Sequence, residues 1–285
     1  MLNIGTQTFG LAKELTEDFY GTIEKLHRIG FTSIEPLVLF QEEQKKSTNN
    51  LWSYELLKKA KPVLDSYGMT IPSVHVGVGV GMFTMPANTI IKNLIYLYEE
   101  MDIHTFVFSG MLHTKMEAKI WGKLLNKVSN AMRPYGCTIA YHNHEVEFDL
   151  VKVKGKMISV MDYLLEVAGP DVKLQLDIGW AAVKGDECVV AKKYADRIVE
   201  LHYKDFYKGG LSGKYDHNSM PIDQFAPIGE GVVQSEALFN LCHEFPNFNG
   251  AFIIDQDKYT GNMLDALCIG YQNITSYQER KTIHE

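Results

Sequence analysis

His142, His144, Glu147, Asp177, His202, Lys204 and Asp255 have the side chains in this sequence best suited to hold a cation or move a proton, and their spacing is not random. They fall in four segments: residues 139–148 (IAYHNHEVEF), 174–180 (LQLDIGW), 198–205 (IVELHYKD) and 251–257 (AFIIDQD). Each segment opens with apolar residues, as a strand buried on both faces does, and then presents an ionisable group. In a parallel barrel every strand C-terminus opens on one face, so groups far apart in sequence meet there around one ion and one substrate.

The rest of the chain supplies such a barrel. Apolar runs bounded by turn residues predict eight strands, at residues 2–7, 33–36, 70–76, 105–109, 138–142, 173–177, 197–202 and 250–255. Helical periodicity predicts helices over 15–29, 53–67, 89–101, 114–135, 157–167, 183–194, 235–244 and 263–277. Gly30, Gly68 and Gly136 each stand between a predicted helix and the next strand, where a glycine ends the helix. Eight alternations of strand and helix predict an α/β fold, a closed (β/α)8 barrel, as a single domain over residues 1–285. Residues 206–228, rich in Gly and Pro after the seventh strand, predict a long loop over the barrel mouth.

Composition narrows the function. A net charge of −7 opposes a nucleic-acid surface, which needs a clustered basic face. No apolar run approaches the ~18 residues of a membrane span, and the opening residues read as a strand rather than a secretion signal, so a cytoplasmic location is expected. The four cysteines, Cys137, Cys188, Cys242 and Cys268, lack the spacing of a zinc or redox pair.

Asp177 ends its strand just before Ile178-Gly179-Trp180, and reads either as a metal ligand or as the cap of the following helix. Trp180 offers a flat apolar wall for a sugar ring. His202 reads as a nitrogen ligand or as a satisfied core histidine. Lys204 reads as a cation steadying a substrate hydroxyl or developing oxyanion, or as the partner of Asp205. Alternation along a strand points His142 and His144 together and Asn143 away, with Glu147 able to reach back from the loop. Glu35 and His75 end the second and third strands and would face the same mouth, as substrate contacts; Glu35 could equally pair with a lysine. Gly77, Gly79 and Gly81 lack the helix start and Lys-Ser/Thr pair of a phosphate loop and predict a flexible loop beside the site.

The ordered set Y-H-N-H-x-x-E-F, L-D-x-G-W, H-x-K-D and I-G-E-G-V (residues 228–232), preceded by G-F-T-S-I-E-P (30–36) and I-P-S-V-H (71–75), resembles the sugar phosphate isomerase/epimerase superfamily, the xylose isomerase-like barrels. The resemblance runs from Gly5 to Asp257 and implies a metal site of Glu147, Asp177, His202 and Asp255, with Glu147 and Asp255 also as acid–base groups. It departs from the family at two positions. His142 stands where relatives carry a strand-end Glu, which leaves His142 as substrate contact or alternative ligand and Glu147 as the nearest carboxylate. Asp255 stands where relatives carry a Glu that both ligates and acts as base, and is one methylene shorter.

Two carboxylates and a histidine suit Mn²⁺, Mg²⁺, Zn²⁺ or Co²⁺. The chemistry implied is removal of a proton beside a carbonyl, with isomerisation or epimerisation of a small carbohydrate, a sugar or keto-sugar. The same intermediate expelling a β-oxygen would make a dehydratase or lyase of a keto-sugar or inosose. A carbohydrate-binding barrel without turnover is the remaining alternative, and a homo-oligomer is left open. A DNA-repair endonuclease chemistry on this fold would want a multi-metal cluster and a basic groove, which the acidic balance opposes.

Overall fold

The computed structural model describes residues 2–40 and 51–284. Its wall consists of parallel strands β1 (Asn3–Gln7), β2 (Ser33–Glu35, resuming as Leu37–Leu39), β3 (Val74–Gly77), β4 (Thr105–Phe108), β5 (Thr138–His142), β6 (Lys173–Asp177), β7 (Ile198–Tyr203) and β8 (Ala251–Ile254). The ring closes through β2. Its first half pairs with β1 through Gln7 and Glu35, and its second half pairs with β3 through Leu37 and His75. Pro36 divides the halves because it has no N–H for the ladder, while its carbonyl accepts the His75 amide at 3.0 Å.

Two layers of side chains follow from strand alternation. Leu174 and Leu176 of β6 face the surrounding helices with Ile139 and Tyr141 of β5. Gln175 and Asp177, with Glu200 and His202 of β7, turn inward, so the barrel interior near its mouth is polar and fully buried. Val107, Ala140 and Val199 form a small separate apolar cluster.

The strands at 138–142 and 173–177 have their predicted bounds. The third starts late, at Val74, because Pro72 interrupts it and Thr70 makes only an isolated bridge to Ser33. The first helix is two, Ala12–Glu17 and Phe19–Ile29, since Asp18 leaves helical geometry to cap the second by accepting the Gly21 amide. Met157 lies in a hairpin, Leu150–Val153 with Lys156–Ser159, and the helix begins only at Val160, capped by Ser159. The helix predicted over 183–194 is also two, Ile178–Lys184 and Glu187–Lys193, because Asp177 starts the first at the strand end itself. The last helix, Met263–His284, runs beyond Tyr277. Gly30, Gly68 and Gly136 all have positive φ at helix ends.

The glycine-spaced segment after β3 is a short hairpin, Gly79–Val80 with Phe83–Thr84. The irregular segment after β7 is pinned at its base, where Asp205–Phe206 pairs with Phe225–Ala226. Among the described residues no helix is long and apolar enough to cross a membrane, and all four cysteines are free.

Candidate metal centre at the barrel mouth

Asp177 serves two purposes with its two oxygens. Oδ1 accepts the Trp180 amide at 2.8 Å and so caps the helix that follows. Oδ2 turns into the barrel, is buried, and has no hydrogen-bond partner among the described residues. Asn143 fastens this strand end from β5: its amide gives 3.1 Å to the Asp177 carbonyl and its oxygen takes the Asp177 N–H at 3.0 Å. Asn143 thus points away from the mouth, leaving the rings of His142 and His144 5.3 Å apart on the other side. The turn after Asp177 packs closely on Lys204: a Cβ on Gly179 would lie 2.8 Å from the Lys204 carbonyl oxygen.

Four strand ends converge. His142, Asp177, His202 and Asp255 each bring a nitrogen or oxygen to within 4.8 Å of those of the other three, and all four are buried. Hydrogen bonds fix the imidazoles. His142 Nδ1 lies 3.0 Å from the Gln175 side-chain oxygen, so Nδ1 carries the proton and Nε2, 3.9 Å from Asp177 Oδ2, keeps its lone pair. His202 Nε2 donates to Glu35 Oε2 at 2.6 Å, while Nδ1 faces Asp255 Oδ2 at 3.2 Å. A carboxylate behind a histidine is the arrangement that orients a metal-ligating imidazole. Glu35 is held in turn by Ser73 at 2.8 Å and Gln175 at 2.6 Å.

Lys204 completes the charge pattern. Its ammonium lies 2.6 Å from Asp257 Oδ2, 2.9 Å from Asp255 Oδ2 and 3.6 Å from Asp177 Oδ2, with the Trp180 ring 5.6 Å below it. Its carboxylate partners are therefore these three. Asp205 instead accepts the amides of Phe206, Gly229, Gly231 and Val233, which explains the I-G-E-G-V segment as a turn wound around one carboxylate.

The group carries its own cations. Burial works against a charged His202, but Glu35 and Asp255 outweigh it and hold the imidazole well above the usual histidine range. Lys204 is held charged against burial by Asp255, Asp257 and Asp177. An ion binding here would displace the His202 Nδ1 proton. Burial holds His142 well below the usual histidine range, aided by His202 and His75, so it is neutral. Burial pushes Asp177 up to about 7, with Asp255 adding to the shift and Lys204 opposing it. Burial also works against ionisation of Asp255, but Lys204 and His202 outweigh it and keep the carboxyl well below its ordinary value. Asp255 Oδ1, like Asp177 Oδ2, is buried and unpartnered among the described residues. Two carboxylates and two imidazoles converging in one buried group suit a divalent ion of the borderline class, and the residues present fit one.

The other expected residues distribute as follows. Glu35 pairs with His202 rather than with a lysine or with solvent at the rim. His75 lies between His142 and His202, with ring centroids 4.9 and 5.8 Å away; its Nδ1 is 3.5 Å from the Gln7 amide and its buried Nε2 is unpartnered. Burial pushes it down to about 4, so it is neutral. Trp180 is packed against Phe206 and Phe225 as well as facing Lys204.

Glu147, expected among the ligands, lies outside that group of four. The one-turn helix Val146–Phe148 curls its carboxylate back onto the wall, where Oε1 accepts from the Leu112 amide (2.6 Å) and the Tyr141 hydroxyl (2.7 Å), and Oε2 accepts from the His144 amide (2.8 Å). The carbon-chain reach expected of it is spent on the loop, and His142 fills the fifth-strand place in the group of four.

Sequence reasoning missed a second ring of residues, Ser73, Gln175 and Glu200. Glu200 Oε2 lies 2.6 Å from the Gln175 amide and 2.8 Å from Ser73 Oγ, both of which also bind Glu35. Its signal was a charge inside an otherwise apolar strand, in I-V-E-L-H. Burial, with the Glu35 charge next, pushes Glu200 up to about 7. A carboxyl raised on folding favours the folded state at low pH, and that contribution is lost as pH rises from its unfolded value, about 4.3, to 7. Glu200→Gln is therefore expected to gain stability over the wild type as pH rises through that window, by about 3–4 kcal/mol, and to level off above it. Chemical denaturation at pH 5, 6, 7 and 8 measures this, and a pH-independent difference would show that Glu200 is ionised throughout.

The comparisons agree with the architecture. Residues 23–267 match the family described as xylose isomerase-like TIM barrel. An inosose dehydratase of Clostridium tetani (strain Massachusetts / E88) is 25% identical over 163 residues, 54% of this chain and 52% of that protein. The chain thus spans about half the length of that curated relative. A crystal structure of a sugar phosphate isomerase/epimerase from Parabacteroides distasonis ATCC 8503 superposes with a TM-score of 0.73 at 18% identity, covering 95% of each chain. A D-tagatose 3-epimerase-like protein superposes with a TM-score of 0.66 at 17% identity, covering 98% of this chain and 97% of that one. With a match that takes in most of its length, the chain belongs to the xylose isomerase-like TIM barrel family.

Proposed function

We propose that the protein is a divalent-metal-dependent isomerase or epimerase that moves a proton beside the carbonyl of a small carbohydrate, with His142, Asp177, His202 and Asp255 holding the ion. The observation that carries this is the convergence of these four buried side chains, each with a ligand atom within 4.8 Å of the others, while Asp177 Oδ2 and Asp255 Oδ1 are buried with no hydrogen-bond partner among the described residues. When bound there, a divalent ion supplies Lewis-acid polarisation of a carbonyl.

The chain's own groups do the rest. Asp255 holds the ion through one carboxylate oxygen and accepts the proton from carbon with the other, and Lys204 keeps the carboxylate ionised against burial until it does. The C–H bonding pair moves toward the carbonyl, and Lys204 Nζ donates to the substrate oxygen on which negative charge grows. Trp180 forms the wall beneath the ammonium, and the free Nε2 of His75 meets a substrate hydroxyl. Return of the proton at the neighbouring carbon or the opposite face completes the reaction.

A dehydratase or lyase acting on a keto-sugar or inosose is the second reading. Its support is the sequence similarity to the Clostridium tetani inosose dehydratase. The first proton step is the same; the electron pair then expels a β-oxygen.

Solvent deuterium entering a panel of ketoses, aldoses, 3-keto sugars and inososes, followed by NMR with the metal-loaded protein, tests the proposal and separates its two outcomes by product skeleton. Lys204→Met is expected to slow deuterium entry by about 10²–10³-fold, the usual loss of an oxyanion donor. Tight binding of a panel compound with no exchange would make the barrel a carbohydrate-binding protein instead.

A further inference from the structure

The loop after β7 brings one more ionisable pair to the mouth. His217 Nδ1 lies 2.9 Å from Glu145 Oε1, and the His217 backbone amide donates to the same oxygen at 3.2 Å. Glu145 is 1% exposed, and its Oε2 is buried without a partner among the described residues. A carboxylate buried under a loop histidine is the construction that orients an acid–base imidazole.

The ring of His217 is placed for chemistry as well as for packing. It lies 5.2 Å from His144 and 6.4 Å, edge-on, from Trp180, and His144 in turn lies 5.3 Å from His142. A file of rings therefore runs from the proposed ion site to the loop, along the wall assigned to the substrate. Nε2, the nitrogen turned from Glu145, has the Asn218 amide at 3.0 Å. That amide can present either its NH₂ or its oxygen, so Nε2 is satisfied with or without a proton.

Resting on the function proposed above, we infer that His217, steered by Glu145, is the second acid–base group, which delivers a proton after Asp255 has removed the first. The balance is simple: Asp255 takes H⁺ from carbon, and His217 gives H⁺ from Nε2 to the far carbon of the enediolate or, in the elimination, to the departing oxygen. The imidazolium returns to neutral imidazole, and no oxidant or further reactant is needed. The groups around the ring are compatible with this role. Glu145, Asp216 and Glu147 face it as carboxylates and His144 as an imidazole; the hydrogen bond to Glu145 is foremost in raising its affinity for a proton, against partial burial.

The alternative is that the pair only latches the loop. His217→Ala and Glu145→Gln separate the two, using the full metal-loaded chain and the panel compound that exchanges fastest. The expected result for His217→Ala is retained metal, deuterium entry into recovered substrate within about threefold of wild type, and product formation down by about 100-fold or more. Added imidazole then restores part of the lost turnover. Glu145→Gln, which keeps the side-chain shape, loses less and moves the pH limb of kcat assigned to His217. Product formation unchanged in His217→Ala, or deuterium entry and product falling together with no rescue by imidazole, overturns the inference. Absence of deuterium entry in the wild type overturns the underlying function as well, so the two failures are told apart.

Discussion

Asp177→Asn is expected to abolish turnover and weaken metal retention by at least about 100-fold, since loss even of an outer partner of a ligand costs 10–100-fold. The substitution is chosen for what it keeps. Asparagine is as good a helix cap as aspartate, so the bond to the Trp180 amide survives, and Asn143 holds the backbone of residue 177 rather than its side chain. What disappears is the carboxylate at Oδ2, the buried oxygen that makes no hydrogen bond among the described residues and has the Lys204 ammonium 3.6 Å away. Thermal melting close to wild type with metal and activity gone would assign the residue to the ion. Equal metal content and turnover within about tenfold would leave Asp177 as a cap alone.

Glu147→Ala is expected to do the opposite, lowering stability severely while keeping one ion per chain. The carboxylate serves three buried donors, the amides of Leu112 and His144 and the Tyr141 hydroxyl. Leaving them unsatisfied costs about 1–3 kcal/mol each before relaxation, so a total of about 3 kcal/mol or more is expected. For a chain of this size that corresponds to a fall in Tm of roughly 5–10 °C. Burial pushes Glu147 up to about 7 despite these donors. Glu147→Gln should accordingly be milder, since it retains one acceptor oxygen. Loss of metal from a Glu147→Ala protein that remains folded would restore Glu147 to the ligand set.

The contrast between these two residues shows where the sequence was informative. Asp177, His202 and Asp255 announce themselves because each ends an apolar run, and strand ends in a parallel barrel share one face by geometry alone. The choice between His142 and Glu147 is not of that kind. It depends on the single turn Val146–Phe148, which sends the Glu147 carboxylate back to Tyr141, six residues earlier. Pro36 was legible as a strand boundary, but not as the point where one strand serves two neighbours and closes the ring. Asp18 likewise broke a helix whose apolar face continues across it, because its capping bond to Gly21 competes with the helical ladder. Gln175, Ser73 and Glu200 form their network across the interior, through contacts such as Ser73 to Glu200 that span 127 residues. Glu145 and His217 meet over 72 residues and from a loop without periodicity, so no local pattern marks them.

The most direct test is titration of the metal-free protein with Mn²⁺, free ion being followed by electron paramagnetic resonance, for the wild type and Asp177→Asn. The arrangement of His142, Asp177, His202 and Asp255 predicts one saturable site per chain in the wild type, and its loss in the variant. A wild type that leaves the Mn²⁺ signal of free ion unchanged, with Zn²⁺ and Co²⁺ equally unbound by competition, would contradict the metal centre and the chemistry built on it.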